Sequence, residues 1–338
     1  MVEHIVFLSR SINATVSATG GNILDRNVAL DILKLSMAFM VVGIHAEFLK
    51  DISVDWSYFT AFGIFRIAVP VFLLISGFYF YQTLENNKTL IWFKRCLLLY
   101  CFWMLVYSIF WFKPAELSLK MFFIQIIVGY YHLWYVAGMI GAAVILLVIR
   151  RFNSPMLIFI SIATYLIGVA IQYAGNYHLL ENARLDNIIN INFVHRNALF
   201  FSLPFFCIGY LIHKHNLHTR ISFTTAKVFT AIGLILMSAE IYFNYIAPDR
   251  DGGFDNFFSL IILCPALFIL FMHINLFANT KNIALYATAI YFVHPLFLLP
   301  LTSLLATQAT LFTLVVIALS VIAAYFLIII NKKAKFIL

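Results

Sequence analysis

Apolar runs of membrane-spanning length recur through residues 26–331, separated by short breaks of charged residues, Pro, Asn and Gly. They predict ten spans, at about 30–49, 60–81, 96–112, 133–149, 155–173, 197–213, 224–246, 256–278, 283–305 and 308–330. Most approach the roughly 20 apolar residues a helix needs to cross a bilayer. The stretch 118–131 is apolar but shorter, which predicts a helix that lies along the interface or re-enters. The fold expected is all-α, a polytopic integral membrane helix bundle of about ten transmembrane helices. It divides into an N-terminal segment 1–25, a transmembrane domain 26–331 and a basic tail 332–338. No repeat, low-complexity tract or linker interrupts this pattern, and the apolar stretch Ile5 to Leu8 is too short for a cleavable signal sequence. The longest connection, about 174–195, carries Asn176, Asn182, Asn187, Asn190 and Asn192. It is expected outside, and loops of that length are often functional.

Composition sharpens the class. Of 338 residues, 63% are hydrophobic and 11% charged, against about 45–50% and 25% in soluble domains. That excludes a disordered chain and a disulfide scaffold, and argues against a soluble two-domain enzyme. A net charge of +8 in a soluble protein would suggest nucleic acid. Here the 22 Lys and Arg residues sort by topology. With a cytoplasmic N-terminus 14 fall inside, including Lys88, Lys94, Arg95, Lys332, Lys333 and Lys335, and 6 fall outside, including Lys50, Arg184, Arg196 and Arg250. Positive flanking on the cytoplasmic side therefore explains the charge and predicts both termini cytoplasmic. Membrane lipids are the expected surroundings, with no nucleic-acid partner. Cys96, Cys101, Cys207 and Cys264 lie in apolar runs and read as small hydrophobes. His213, His215 and His218 flank Lys214 and read as a solvated basic loop, so no metal is expected. No P-loop, dinucleotide glycine pattern or HExxH appears.

Lys34 and Arg66 are left inside spans, where an ionisable group is costly and is a site hypothesis by default. Lys34 and His45 are eleven residues apart, about 20° beyond three full helical turns, so they share a face about 16 Å apart along the axis. Lys34 falls near the inner boundary and His45 in the outer part of the membrane. The bland alternative is a lysine that snorkels and a satisfied core histidine. Arg66 lies level with His45 and cannot be neutralised, so it needs an anion, carbonyls or water beside it. Glu47 and Asp31 are the candidate partners for Arg66 and Lys34. Pro70 follows within the same span, then Ser76-Gly77-Phe78.

These residues carry a family resemblance. The stretch from Arg26 through Leu30-Asp31 and Lys34 to His45 resembles the first helix of the membrane-bound acyltransferase-3 family, in which a basic residue precedes a histidine by eleven positions. Arg66-Ile67-Ala68-Val69-Pro70, followed by Ser76-Gly77-Phe78, resembles its second-helix signature. Weaker matches are His132-Leu133-Trp134-Tyr135, Arg196-Asn197, and Tyr291-Phe292-Val293-His294-Pro295. The resemblance covers about residues 26–300. Lys34 stands where the family usually has arginine, and the third helix has Lys94-Arg95 without a second arginine a few residues on.

The resemblance implies an O-acyltransferase that moves acyl, commonly acetyl, from cytoplasmic acyl-CoA to a hydroxyl of a bacterial surface or lipid-linked polysaccharide such as an O-antigen. The setting would be the bacterial cytoplasmic membrane. Acetyl-CoA would be a co-substrate and no cofactor would be permanently bound. Some relatives carry a fused extracytoplasmic domain; this chain ends at Leu338, so transfer is expected within the bundle. His45 is the candidate general base or transient acyl carrier, and Arg66 the candidate oxyanion stabiliser. Lys34, Lys88, Lys94, Arg95 and Ser76 are candidates for the donor. His132, Trp134, Tyr135, Arg196 and Asn197 are expected to converge with His45 and Arg66 on the outer side and to meet the acceptor. Trp134 and Tyr135 also suit an ordinary interfacial belt. Asp31, Glu47 and His294 complete the candidates. A secondary transporter or lipid-linked glycan flippase would use the same intramembrane charges and is the alternative. A membrane scaffold would leave Lys34, His45 and Arg66 unexplained.

Overall fold

A computed structural model describes residues 26–338 apart from Glu116, Pro248, Asp249 and Asn279. The N-terminal segment 1–25 lies outside the described residues. Helices dominate because hydrocarbon offers backbone groups no partner, and a helix satisfies them within one segment. In chain order the principal helices are α1 (Ala29–His45), α2 (Ala68–Glu85), α3 (Thr89–Val106), α4 (Leu119–Val128), α5 (Trp134–Ile149) and α6 (Ser154–Asn176). They continue with α7 (Leu203–Lys214), α8 (Phe223–Ile246), α9 (Leu260–Met272), α10 (Asn282–Leu305) and α11 (Ala309–Asn331). Several starts are written in the sequence. Ser118, Asn153 and Ser222 accept the amides of Met121, Met156 and Thr225 through their side chains, as helix N-caps do.

Each expected span coincides with a helix. Among the described residues, seven helices are long and apolar enough to cross a membrane, which makes this a multi-pass membrane protein. The others, α1, α7 and α9, are shorter. At 13 residues, α9 rises only about 20 Å, less than the hydrocarbon thickness of about 30 Å. The missing length is irregular chain, where Phe254, Asn256 and Phe257 are fully buried. Non-helical backbone at that depth is tolerated because protein encloses it. At 10 residues, α4 rises about 15 Å and is too short to cross, and it has no buried side chain.

The tightest crossing is between α2 and α7. A Cβ on Gly77 would lie 1.9 Å from the Phe206 carbonyl oxygen, and one on Gly209 would lie 2.1 Å from that of Leu74. The two glycines thus let the backbones touch reciprocally, as small residues do in membrane helix pairs. Gly77→Val should therefore force the helices apart, costing at least about 1–3 kcal/mol. The check is thermal melting in detergent, with a clear fall in midpoint and loss of the monodisperse peak.

The N-terminus of α1 is anchored where a strand β1 (Arg26–Asn27) pairs antiparallel with β2 (Phe277–Ala278). Asn27 Nδ2 also donates to the Ile274 carbonyl at 2.8 Å. α1 then packs against α2 and α10. This places the C-terminal end of α1 beside the start of α2, the start of α5 and the middle of α10.

Candidate active site

Side chains from six parts of the fold line one cavity. His45 comes from the last turn of α1 and Arg66 from the 3-10 turn Ile64–Ile67 ahead of α2. His132 and Trp134 lie where the 3-10 turn Tyr131–Leu133 runs into α5. Arg196 follows the short helix Asn192–His195, Asp255 sits on the buried loop before α9, and Tyr291 comes from α10. Val41, Ile44, Val69 and Phe201 supply apolar walls. The cavity is about 40 Å³, room for a few water-sized groups.

Asp255 is the electrostatic centre. Its Oδ1 accepts a hydrogen bond from Arg66 Nη1, and its Oδ2 accepts one from Arg196 Nη1 at 2.6 Å. Both carboxylate oxygens are thereby taken up by guanidiniums. Arg196 also lies 4.6 Å over the Trp134 ring, a cation–π contact that fixes its plane. Two guanidiniums against one carboxylate leave one net positive charge in a site largely closed to water, which suits a developing oxyanion.

The imidazoles gather on the other wall. The His45 ring centroid lies 4.5 Å from Tyr131 and 5.6 Å from His294, and His132 lies 5.1 Å from His294. Tyr291 OH donates to the His132 carbonyl at 2.8 Å, fixing the 3-10 turn on α10.

His45, Arg66, His132, Trp134 and Arg196 thus share one cavity. Tyr135 lies beyond its wall, with its hydroxyl 3.2 Å from Ser76 Oγ. Ser76 also donates to the Phe72 carbonyl at 2.8 Å, so it stands with Tyr135 inside the bundle. Asn197 departs from the expected convergence. Its Oδ1 accepts the amides of Leu199 and Phe200 at 2.9 Å, and its Nδ2 donates to the Phe193 and Val194 carbonyls at 3.0 Å. It caps the π-helical turn Ala198–Ser202. The pairing of Glu47 with Arg66 is also corrected: Glu47 bonds Lys50 at 2.5 Å, because the chain turns outward after His45 with positive φ at Glu47 and Leu49. Asp31 does meet Lys34, at 3.9 Å, and the Lys34 ammonium sits 5.6 Å from the Tyr79 ring. Lys94 and Arg95 are exposed in the first turns of α3, with Lys88 part-buried just before them. His213 bonds the Phe78 carbonyl at 2.7 Å and His215 bonds Ser154 at 2.7 Å.

Asp255 escaped the sequence reading. The one signal for it was the rule that a buried arginine needs an anion, and 189 residues separate it from Arg66. Its loop is tied down by His178, whose Nδ1 lies 2.7 Å from Asp186 and whose Nε2 lies 3.2 Å from Asp251. The hydrogen bond to Asp186, followed by the pull of Asp251, raises the His178 imidazole above its ordinary value of 6.5. A raised folded value means the clamp contributes fully below pH 6.5 and is lost as pH rises through that higher value. Limited proteolysis between 177 and 190 should accordingly speed up from pH 6 to pH 8.5, and His178→Ala should flatten that dependence.

Residues 27–329 match the family described as the acyltransferase domain of the acyltransferase-3 group. A serine/alanine racemase of Enterococcus gallinarum is 25% identical over 305 residues, covering 80% of this chain and 40% of that protein. An amino-acid racemase of Enterococcus faecalis is 22% identical over 330 residues, covering 90% of this chain and 46% of that protein. The chain spans less than half the length of these curated relatives. No solved structure matches.

Proposed function

Because this chain belongs to the acyltransferase-3 family, we propose that it transfers an acyl group, acetyl in the simplest case, from cytoplasmic acyl-CoA to a hydroxyl of a surface or lipid-linked glycan. The setting proposed is a bacterial cytoplasmic membrane. The observation that carries the reading is the cavity in which a histidine at the end of α1 and an arginine in the turn ahead of α2, both in the family's motifs, stand together beside Asp255.

In this reading the acceptor hydroxyl gives its proton to His45 as it attacks the thioester carbonyl. Arg66, oriented by Asp255, meets the charge that grows on the carbonyl oxygen. The indole of Trp134 offers a face to a sugar ring, and Arg196 holds that indole in place. Lys34, about 16 Å from His45 along the α1 axis, meets donor phosphate together with Lys88, Lys94 and Arg95. An extended pantetheine arm spans such a gap. Lys34→Ala should then raise the KM for acyl-CoA about tenfold and leave the acceptor KM unchanged, read in initial-rate kinetics with each substrate varied in turn.

The relatives named as serine/alanine and amino-acid racemases favour a second reading, in which the compound handled is an amino acid. Mass spectrometry of the host's surface polysaccharide, with and without the gene, separates the two. Loss of an acetyl mass increment per repeat supports the glycan. An unchanged polysaccharide, with labelled acetyl found on serine or alanine, supports the amino acid. Label that stays on CoA while solute crosses the membrane supports a transporter or flippase.

A further inference from the structure

A third imidazole stands behind the cavity, and the acyl-transfer scheme gives it no task. His294, in the middle of α10, is fully buried. It lies between two histidines that line the cavity and does not line it itself. Its Nδ1 is 2.8 Å from the Tyr291 carbonyl and 3.2 Å from that of Ile290. A carbonyl only accepts, so Nδ1 carries the hydrogen and, in the neutral ring, Nε2 carries the lone pair. That Nε2 is buried without a hydrogen-bond partner, and so are both ring nitrogens of His132. Buried polar atoms in native proteins are nearly always bonded. Three unbonded nitrogens on adjacent rings, 5.1 Å apart by centroid, point to a use other than packing.

We infer that His294 joins His45 to His132 as a proton relay across the cavity. The inference rests on the acyl-transfer reading and adds the route of the proton. A protonated His45 faces Arg66 and Arg196, and among the described residues lining the cavity Asp255 alone offsets them. Against His294 lie His45, His132 and, on its own helix, Tyr291; Tyr131 in turn packs on His45 and Tyr107 on His132. None of these is a fixed cation, so the proton moves away from the guanidiniums. The acceptor's oxygen bonds the acyl carbon while its O–H bond and the C–S bond break. The proton passes from His45 through His294 to His132 and ends on the sulfur as CoA thiol. Nothing is oxidised or reduced. His294 Nε2 both takes the proton from His45 and gives it up to His132, with Nδ1–H staying on the Tyr291 carbonyl, and one bridging water closes each gap.

His294→Asn tests this, since its amide still donates to the Tyr291 carbonyl but carries no basic nitrogen. The relay predicts an unchanged melting temperature, an unchanged KM for acetyl-CoA, and a kcat lower by about 10²-fold. In His294→Ala, added imidazoles should restore turnover in proportion to their basicity. Near-normal kcat in His294→Asn overturns the relay, and so does rescue independent of the added base's pKa, which would mark simple filling of a hole. Should the wild-type protein release no acetyl from acetyl-CoA, the acyl-transfer reading falls and the relay with it. Should wild type and His294→Asn transfer alike, the relay alone falls.

Discussion

His45→Ala should reduce acyl transfer by about 10²–10⁴-fold, the usual cost of removing a general base, while the protein stays inserted and folded. The folding half follows from position. His45 is the last residue of α1 and is only part-buried, so truncation there removes less packing than a mid-helix change. A larger loss, to background, would favour the histidine as a transient acyl carrier, since no other group then holds the acyl. Arg66→Lys should also lose about 10²-fold or more, because an ammonium does not present a planar fork to Asp255 and the oxyanion together. The check is initial-rate transfer by purified protein, with melting curves to certify the fold. Normal rates in His45→Ala would demote the residue to packing.

Asp255→Asn should be the most damaging single change for stability. The carboxylate is shared by two guanidiniums whose side chains are 14% and 22% exposed. Removing its charge leaves two cations facing each other in a poorly hydrated site. Breaking a buried pair in this way typically costs about 3–5 kcal/mol. Activity should fall as well, because Arg66 loses the group that aims it. Combining Asp255→Asn with Arg196→Met removes the repulsion, so much of the melting temperature should return while activity stays low. Non-additive melting shifts across that double-mutant cycle are the measurement. Additive shifts would mean the two residues act independently.

Much of this site was legible because charge in an apolar run is expensive and therefore conspicuous. Lys34, His45 and Arg66 stand out on that ground, and helical arithmetic alone puts Lys34 and His45 on one face. Asp255 could not be read, because it lies in irregular chain next to a span and meets its partners only through the tertiary fold. The nearer Glu47 looked the better partner for Arg66, but the turn after α1 carries it away to Lys50. Asn197 has the same cause in reverse. Its neighbour Arg196 reaches the cavity, and the backbone of the π-turn claims the asparagine. Helix lengths were overread at α9, where buried loop chain substitutes for helix and carries Asp255 inward.

The most direct test of the account follows acetyl itself. Membrane vesicles containing the protein, with its cytoplasmic face outward, are supplied with radiolabelled acetyl-CoA, and label is followed in the thiol-free fraction. Release of acetyl from CoA into an extractable glycan, at least 100-fold lower in His45→Ala, is the predicted result. Acetyl-CoA left intact by folded wild-type protein, with the host glycan present, would contradict it.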